Sequence, residues 1–206
     1  MKQSQKTLVI VDGFNLYFGI KALNIPKYKW LDVTKLAENI QKDNQTLQKI
    51  YYCTARVKEN PSKHKRQSTY LEALMSKNKI EILYGKFKVK SSKCKHCGYP
   101  IIKYEEKMSD VNIAIQLIKA AASKAIDLVF IVSGDTDLYS AIENAKEINP
   151  KIKIIVAFPP NRFNNELKSV ADGCFIIGKS LLRKSLLEDE ITLSNGYVLK
   201  RPKTWI

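Results

Sequence analysis

Three aspartates in this sequence directly follow apolar segments, where they could bind a metal ion. Asp12 follows the apolar residues 8–11. Asp135 and Asp137 follow the apolar residues 129–132. Unbroken β-preferring runs indicate strands buried on both faces of a parallel sheet, and ligands bind at the carboxyl edge of such sheets. Carboxylates that converge there repel one another unless a cation neutralises them, so the pattern predicts a Mg²⁺ or Mn²⁺ site.

Asp110 is a fourth candidate ligand, at the start of a predicted helix over residues 110–122. An aspartate in the first turn also stabilises a helix through its macrodipole, and that reading stays open. The charged residues 105–107 directly precede this helix, which could direct one carboxylate toward Asp12 and Asp135. The predicted metal ligands, and the predicted catalytic acids, are Asp12, Asp110, Asp135 and Asp137.

The elements that must position these side chains alternate between strand and helix along the chain. This rhythm predicts an α/β fold with a mostly parallel central sheet flanked by helices. The predicted strands cover residues 7–12, 46–57, 80–84, 129–132, 152–158 and 174–177. The predicted helices cover residues 15–22, 31–41, 61–77, 110–122, 136–148 and 164–171, with Ser109 as the cap of the fourth.

Length and composition indicate one domain. The chain has 206 residues, of which 45% are hydrophobic. We expect a single domain over residues 1–206, with a basic hairpin insertion at about 86–104 and a C-terminal extension from about 179. No apolar run approaches the roughly 18 residues that span a bilayer, and the polar start lacks a signal-peptide core. The sequence therefore predicts a cytoplasmic protein.

The chain is strongly basic. It has 35 Lys and Arg against 20 Asp and Glu, which gives a net charge of +15. Residues 58–107 contain thirteen basic and five acidic residues. This distribution favours a polyanion as the partner, with Arg56 and Lys107 as candidate contacts to its phosphates. Alternatively, a lysine-rich surface binds nothing and is simply solvated.

Cys94 and Cys97 form a CxxC motif between two lysine-rich segments that resemble the strands of a hairpin. Two thiolates supply half of a tetrahedral zinc site. The other ligands would come from His96, from His64 or from a second chain in a homodimer. We treat structural zinc as a candidate cofactor here, and an ordinary turn is the alternative.

Three motifs in this order resemble the NYN domain family of PIN-like ribonucleases, in particular its bacterial LabA-like branch. The motifs are VDGFNLY, YEEKMSDVNIAIQLIKAA and FIVSGDTDL, and the resemblance covers roughly residues 6–178. It implies a three-layer PIN-like fold whose acidic cluster binds Mg²⁺ or Mn²⁺. The expected activity is hydrolysis of RNA phosphodiester bonds, and the expected partner is RNA, single-stranded.

The motifs transfer the family's site residue by residue. Asp12 corresponds to the acid after the first strand, and Asn15 to the asparagine of the same motif. Asp110 corresponds to the acid that opens the middle helix, and Asp135 with Asp137 to the acidic pair after the central strand. Asn15 would orient a phosphate or a metal-bound water, or alternatively would cap the first helix.

Two other functions stay open at this point. One is hydrolysis of small phosphorylated molecules through an aspartyl-phosphate, although the VDGFN motif lacks the second aspartate that this chemistry places two residues after the first. The other is a non-catalytic RNA-binding or adaptor protein that retains the acidic site. No histidine lies near the motifs, which disfavours a metal-free ribonuclease.

Overall fold

The computed structural model describes residues 4–57, 60–77, 79–93 and 95–206. The strands are β1 (Gln5–Asp12), β2 (Gln45–Thr54), β3 (Ile80–Tyr84), β4 (Lys86–Lys93), β5 (Pro100–Lys107), β6 (Leu128–Val132), β7 (Lys153–Phe158), β8 (Gly173–Ile176), β9 (Glu190–Thr192) and β10 (Val198–Lys200). The helices are α1 (Gly13–Ala22), α2 (Val33–Asn39), α3 (Pro61–Met75), α4 (Ser109–Ser123), α5 (Tyr139–Ile148), α6 (Asn165–Val170) and α7 (Lys179–Lys184). Short 3₁₀ segments cover Pro26–Lys29, Thr136–Leu138 and Lys203–Trp205.

The central sheet has six strands in the order β3-β2-β1-β6-β7-β8. Every neighbouring pair in it is parallel. The predicted α/β class with a parallel sheet is therefore confirmed. β1 pairs with β6 so that Val11 lies beside Val132, and both strands end at the same edge of the sheet. This pairing places the residues after β1 next to the residues after β6.

Helices cover both faces of the sheet, because alternate residues of each buried strand point to opposite sides. Val9 and Val11 of β1 pack in one core with residues of α1, α2, α3 and α7. Leu8 and Ile10 pack in a second core with residues of α4, α5 and α6. The result is the three-layer arrangement of helices, sheet and helices that the resemblance implies.

The antiparallel hairpin β4–β5 lies outside the central sheet and leads directly into α4. Its pairing runs from Lys86 opposite Lys107 to Lys93 opposite Pro100. The second strand therefore continues beyond residue 104, where the sequence analysis ended the hairpin. The sequence analysis ended this strand too early because Glu105, Glu106 and Lys107 are charged. The hairpin is largely exposed, so its strands tolerate charged residues on both faces. The division of the chain into one domain with an insertion and an extension stays a prediction.

The C-terminal segment packs onto the helices of the first core. Leu31 forms an isolated antiparallel bridge with Leu186, and the Trp30 Nε1–H donates to the Glu188 carbonyl at 2.7 Å. Trp205 is buried against Trp30 and Tyr70, with ring centroids 6.2 and 5.9 Å away. α7, β9 and β10 were not predicted because they are only three to six residues long. In the described part of the chain, no helix is both long and apolar enough to span a bilayer.

Candidate metal centre

Asp12 is fixed at the junction between β1 and α1. It is buried, and its Oδ1 accepts a hydrogen bond from the Asn15 backbone N–H at 2.9 Å, which caps α1. Its Oδ2 accepts a hydrogen bond from the Ser133 hydroxyl at 2.9 Å. The carboxylate is therefore held in one orientation by the two turns that follow β1 and β6.

Asp135 lies in the turn after β6. Its backbone N–H donates to the Ser133 hydroxyl oxygen at 3.1 Å, and its Oδ1 accepts from the Asp137 N–H at 3.1 Å. In the same turn, the Gly134 N–H donates to the Asn15 Oδ1 at 3.1 Å. These bonds join the β1 turn to the β6 turn and set the position of Asp135 relative to Asp12.

Asp110 comes from the first turn of α4, on a different segment. The predicted cap at Ser109 is wrong, because Ser109 is already the first helical residue and Met108, with φ of 86°, is the N-cap. Glu106 supplies the missing acceptor: its Oε1 accepts from the Ser109 N–H at 3.2 Å and from the Ser109 hydroxyl at 2.7 Å. The end of the hairpin thus anchors the helix that presents Asp110.

The three carboxylates meet at the carboxyl edge of the sheet. Asp12, Asp110 and Asp135 each offer an oxygen, and these oxygens all lie within 4.8 Å of one another. Asp137 is exposed and is outside this group, although its charge contributes to the field at Asp110. The structure therefore brings three of the four predicted ligands together, and the fourth stands beside them.

Burial and mutual repulsion both disfavour ionisation of this cluster. Burial is the largest cause that raises the pKa of Asp12 to about 6, opposed by the hydrogen bonds from Asn15 and Ser133 and reinforced by Asp110 and Asp135. Burial likewise raises the pKa of Asp110 to about 6, with further contributions from Asp135, Glu106 and Asp137. These groups lose protons near neutral pH at a cost that a bound cation would remove.

The donor set fits a hard divalent cation. All three groups offer carboxylate oxygen, the ligand type that Mg²⁺ and Mn²⁺ prefer. Within the described ranges, none of the three forms an ion pair with Lys or Arg. The negative charge is thus left uncompensated by protein groups, which is the arrangement that a cation site requires.

The raised pKa values predict how stability depends on pH in the absence of metal. Unfolded Asp12 has a pKa near 3.8 and folded Asp12 about 6, so the folded state binds more protons between these values. Stability of the metal-free protein should therefore fall as pH rises from about 4 to 6, by about 3 kcal/mol for Asp12 alone. Thermal unfolding in EDTA at several pH values measures this slope.

Asp12→Asn is the matched comparison for that measurement, because asparagine keeps the helix cap without the charge. We expect the variant to be more stable than the wild type at pH 7 in EDTA and about equal to it at pH 4. Parallel stability curves for the two proteins would contradict the assignment of the repulsion to Asp12.

The remaining predicted site residues lie in different surroundings. Asn15 is partly engaged through its Oδ1, and its Nδ2 makes no hydrogen bond to any described residue. Arg56 is exposed, donates to the Tyr84 hydroxyl at 3.0 Å and lies over the Tyr84 ring at 4.7 Å. Lys107 is exposed and pairs with Glu105 at 3.2 Å. Neither basic residue contacts the carboxylate cluster directly, and their role toward RNA stays a prediction.

Of the two cysteines of the CxxC motif, one is among the described residues. Cys94 lies outside the described residues, and Cys97 is exposed in the turn between β4 and β5. His64 uses its Nδ1 in a 2.7 Å hydrogen bond with the Val57 carbonyl. Structural zinc at Cys94 and Cys97 therefore stays a prediction.

Two residues that hold the cluster were missed by the sequence analysis. Ser133 bridges Asp12 and Asp135, and Glu106 anchors the start of α4. The sequence signal for Ser133 is its position directly after the apolar run that precedes Asp135. Glu106 could have been found from its position three residues before the predicted cap, where a carboxylate reaches the helix start.

Comparison with known proteins agrees with this fold. The family model of the NYN domain matches residues 6–182. The chain therefore belongs to the NYN domain family, which associates it with PIN-like nucleases and with nucleic acid as the general class of partner.

Two individual proteins are similar to this chain. A curated relative, a 6-hydroxy-3-succinoylpyridine 3-monooxygenase from Pseudomonas putida, is 28% identical over 193 residues. The match covers 77% of this chain and 61% of that protein, so the chain spans less than two thirds of its length. A crystal structure of a Vibrio parahaemolyticus protein of unknown function has a TM-score of 0.59 and 19% identity, covering 91% of this chain and 99% of that one. At that identity the likeness shows the fold alone.

Proposed function

We propose that this protein is a metal-dependent ribonuclease that hydrolyses RNA phosphodiester bonds at its acidic cluster. The observation that carries the proposal is the convergence of Asp12, Asp110 and Asp135 at the carboxyl edge of the sheet, within 4.8 Å of one another. Membership of the NYN domain family supports it. The monooxygenase activity in the name of the Pseudomonas relative is a different class of reaction and stays with that protein.

The proposed roles follow from the chemistry of each side chain. Asp12, Asp110 and Asp135 hold Mg²⁺ or Mn²⁺, and Asp137 approaches them from the exposed side. A divalent cation bound there would lower the pKa of a water and stabilise negative charge on the phosphate. Asn15 donates its Nδ2 hydrogens to a phosphate oxygen, since its Oδ1 is already used by Gly134.

The testing experiment is incubation of the purified protein with structured and unstructured RNAs in Mg²⁺, Mn²⁺ or EDTA. We expect cleavage of the unstructured RNA with either metal and none with EDTA. RNA binding without cleavage under all conditions would favour the alternative, a non-catalytic RNA-binding or adaptor protein. A cytoplasmic location and a homodimer stay predictions.

The basic surface predicts a strong dependence of RNA affinity on salt. With Arg56, Lys107 and the hairpin lysines tracking the backbone, log Kd should rise linearly with log salt, with a slope of about 0.7 per neutralised phosphate on single strands. Fluorescence anisotropy of a labelled oligonucleotide in EDTA measures this slope. The salt concentration is varied between roughly 50 and 300 mM, where counterion release has a large effect on affinity. A flat dependence would mean that the charge of +15 serves only solvation.

A further inference from the structure

A cavity of about 390 Å³ lies beside the acidic cluster, between α1, α3 and the hairpin. This volume falls within the range of small-ligand pockets, roughly 300–1,000 Å³. Its floor belongs to the first core, where Tyr70 and Trp205 lie. The roles proposed above involve only the residues at the carboxyl edge of the sheet and assign nothing to this cavity.

Aromatic side chains form one wall of the cavity. Phe14 and Phe18 of α1 are stacked with ring centroids 6.3 Å apart. Phe87 from the hairpin meets Phe14 edge to face at 5.8 Å. Tyr104 of the hairpin also lines the cavity and is 40% exposed. Phe18 is 43% exposed, so this wall presents open ring faces rather than a closed core.

Basic side chains lie among the aromatic ones, and the Lys21 Nζ is 5.9 Å from the centroid of the Phe18 ring. Lys21, Lys29, Lys63 and Arg66 all line the cavity. Across the described ranges, none of them takes part in an ion pair. Burial lowers the pKa of Lys29, and the neighbouring charges of Lys21 and Arg66 lower it further. Lys21, Lys29 and Arg66 thus converge without an ion-pair partner among the described residues, and the carboxylate that lines the cavity, Glu106, is engaged by Ser109. This excess of positive charge is complementary to a phosphate.

The cavity is continuous with the acidic cluster along two segments. Gly13 and Phe14 line it and directly follow Asp12. Glu106 lines it as well, and its Oε1 accepts hydrogen bonds from Ser109, the residue before Asp110. If one nucleotide of an RNA lies in the cavity, a neighbouring phosphate of the same strand can therefore lie at the carboxylates.

We propose that this cavity binds one unpaired nucleotide of the RNA substrate, with its base stacked on Phe87 and packed against Phe14, whose ring is perpendicular to that of Phe87, and its phosphate held by Lys29 and Arg66. The inference rests on the proposed ribonuclease function for the identity of the polymer. It explains a requirement for single strands, because a base inside a duplex cannot leave the stack to reach the aromatic wall. Every base has a π-face, so the pocket accepts any of the four.

The test measures binding separately from cleavage. A labelled single-stranded RNA, short enough that a shift of register would lose phosphate contacts, is titrated against the wild-type protein in EDTA by anisotropy. A series of the same RNA with one abasic position moved along it is titrated in the same way. We expect one abasic position to weaken binding about tenfold, as loss of one base–aromatic stack does. Quenching of tryptophan fluorescence gives a second readout, because the chain has two tryptophans and Trp205 lines the cavity.

Variants locate the effect in the cavity. Phe87→Leu keeps an apolar side chain without a π-face, and we expect it to weaken binding of intact RNA about tenfold but to leave binding of the sensitive abasic RNA unchanged. Arg66→Gln should reduce the salt slope by about 0.7. Lys119→Gln removes an exposed charge from α4, on the opposite face of the sheet, and should behave like wild type except for a small general loss of affinity.

The outcomes separate this inference from the proposed function. Equal affinity for every abasic RNA overturns the inference, whether or not RNA is cleaved, and needs no variant to fold. One sensitive abasic position whose effect disappears in Phe87→Leu supports the inference, even if Mg²⁺ and Mn²⁺ produce no cleavage. Absence of RNA binding in all arms overturns both proposals.

Discussion

Asp135→Asn is expected to lose metal-dependent RNA cleavage by more than about 100-fold, because loss of even outer-shell partners of a metal costs 10- to 100-fold. The substitution removes one of three carboxylates that lie within 4.8 Å of one another, and it leaves the backbone bonds of the turn in place. Initial cleavage rates in Mg²⁺ and in Mn²⁺ measure the loss.

The matched control is Asp43→Asn, which removes an exposed carboxylate just before β2, away from the carboxyl edge of the sheet. We expect wild-type rates from it. The Asp135→Asn protein should also be at least as heat-stable as the wild type in EDTA, since the substitution relieves the repulsion among the carboxylates. Full activity of Asp135→Asn would refute the proposed site.

Gly134→Ala should both destabilise the protein and abolish cleavage. A Cβ at this position would lie 1.9 Å from the Arg162 carbonyl oxygen, so the backbone of one of the two turns must move. Overpacking typically costs about 1–3 kcal/mol, and we expect the upper end, about 3 kcal/mol, because the clash is with a backbone atom. In a chain of this size that lowers Tm by roughly 6–12 °C. Displacement of the Gly134 N–H also breaks its bond to Asn15 and shifts the neighbouring Asp135.

Gly173→Ala is the comparison for that variant. The nearest atom to its added Cβ, Ile155 Cγ1, is at an ordinary contact distance of 3.8 Å. We expect its stability to equal that of the wild type or to rise by up to about 1 kcal/mol, because alanine restricts the unfolded chain. Differential scanning calorimetry and cleavage rates on both variants distinguish a steric effect at Gly134 from a general intolerance of glycine substitution.

The sheet and the carboxylate cluster were predictable because each depends on a short, local pattern. The apolar runs before Asp12 and Asp135 indicate parallel strands, and parallel strands that pair must end at one edge. Asp110 could not be assigned to the site from its local sequence alone, since the helix macrodipole also explains a first-turn aspartate. The family resemblance assigned Asp110 to the acidic cluster. In the structure, α4 lies beside the sheet and brings Asp110 close to Asp12 and Asp135.

The cavity could not be predicted, because its walls come from segments far apart in the chain. Phe14 and Phe87 meet edge to face, yet neither has a neighbouring pattern that indicates the other. Lys29 and Arg66 look like solvated charges in sequence, and only the structure shows that both line one cavity. The C-terminal strands were missed for the same reason: short segments acquire structure from packing, which a periodicity cannot show.

The pairing of β1 with β6 also sets the order of events during synthesis. Ser133 and Asp12 are 121 residues apart in the chain, yet they share a hydrogen bond at the centre of the site. At translation rates of 5–20 residues per second, roughly ten seconds separate the emergence of the two strands from the ribosome. During that interval β1 can pair with β2 but not with β6, so a nascent chain has no assembled carboxylate cluster.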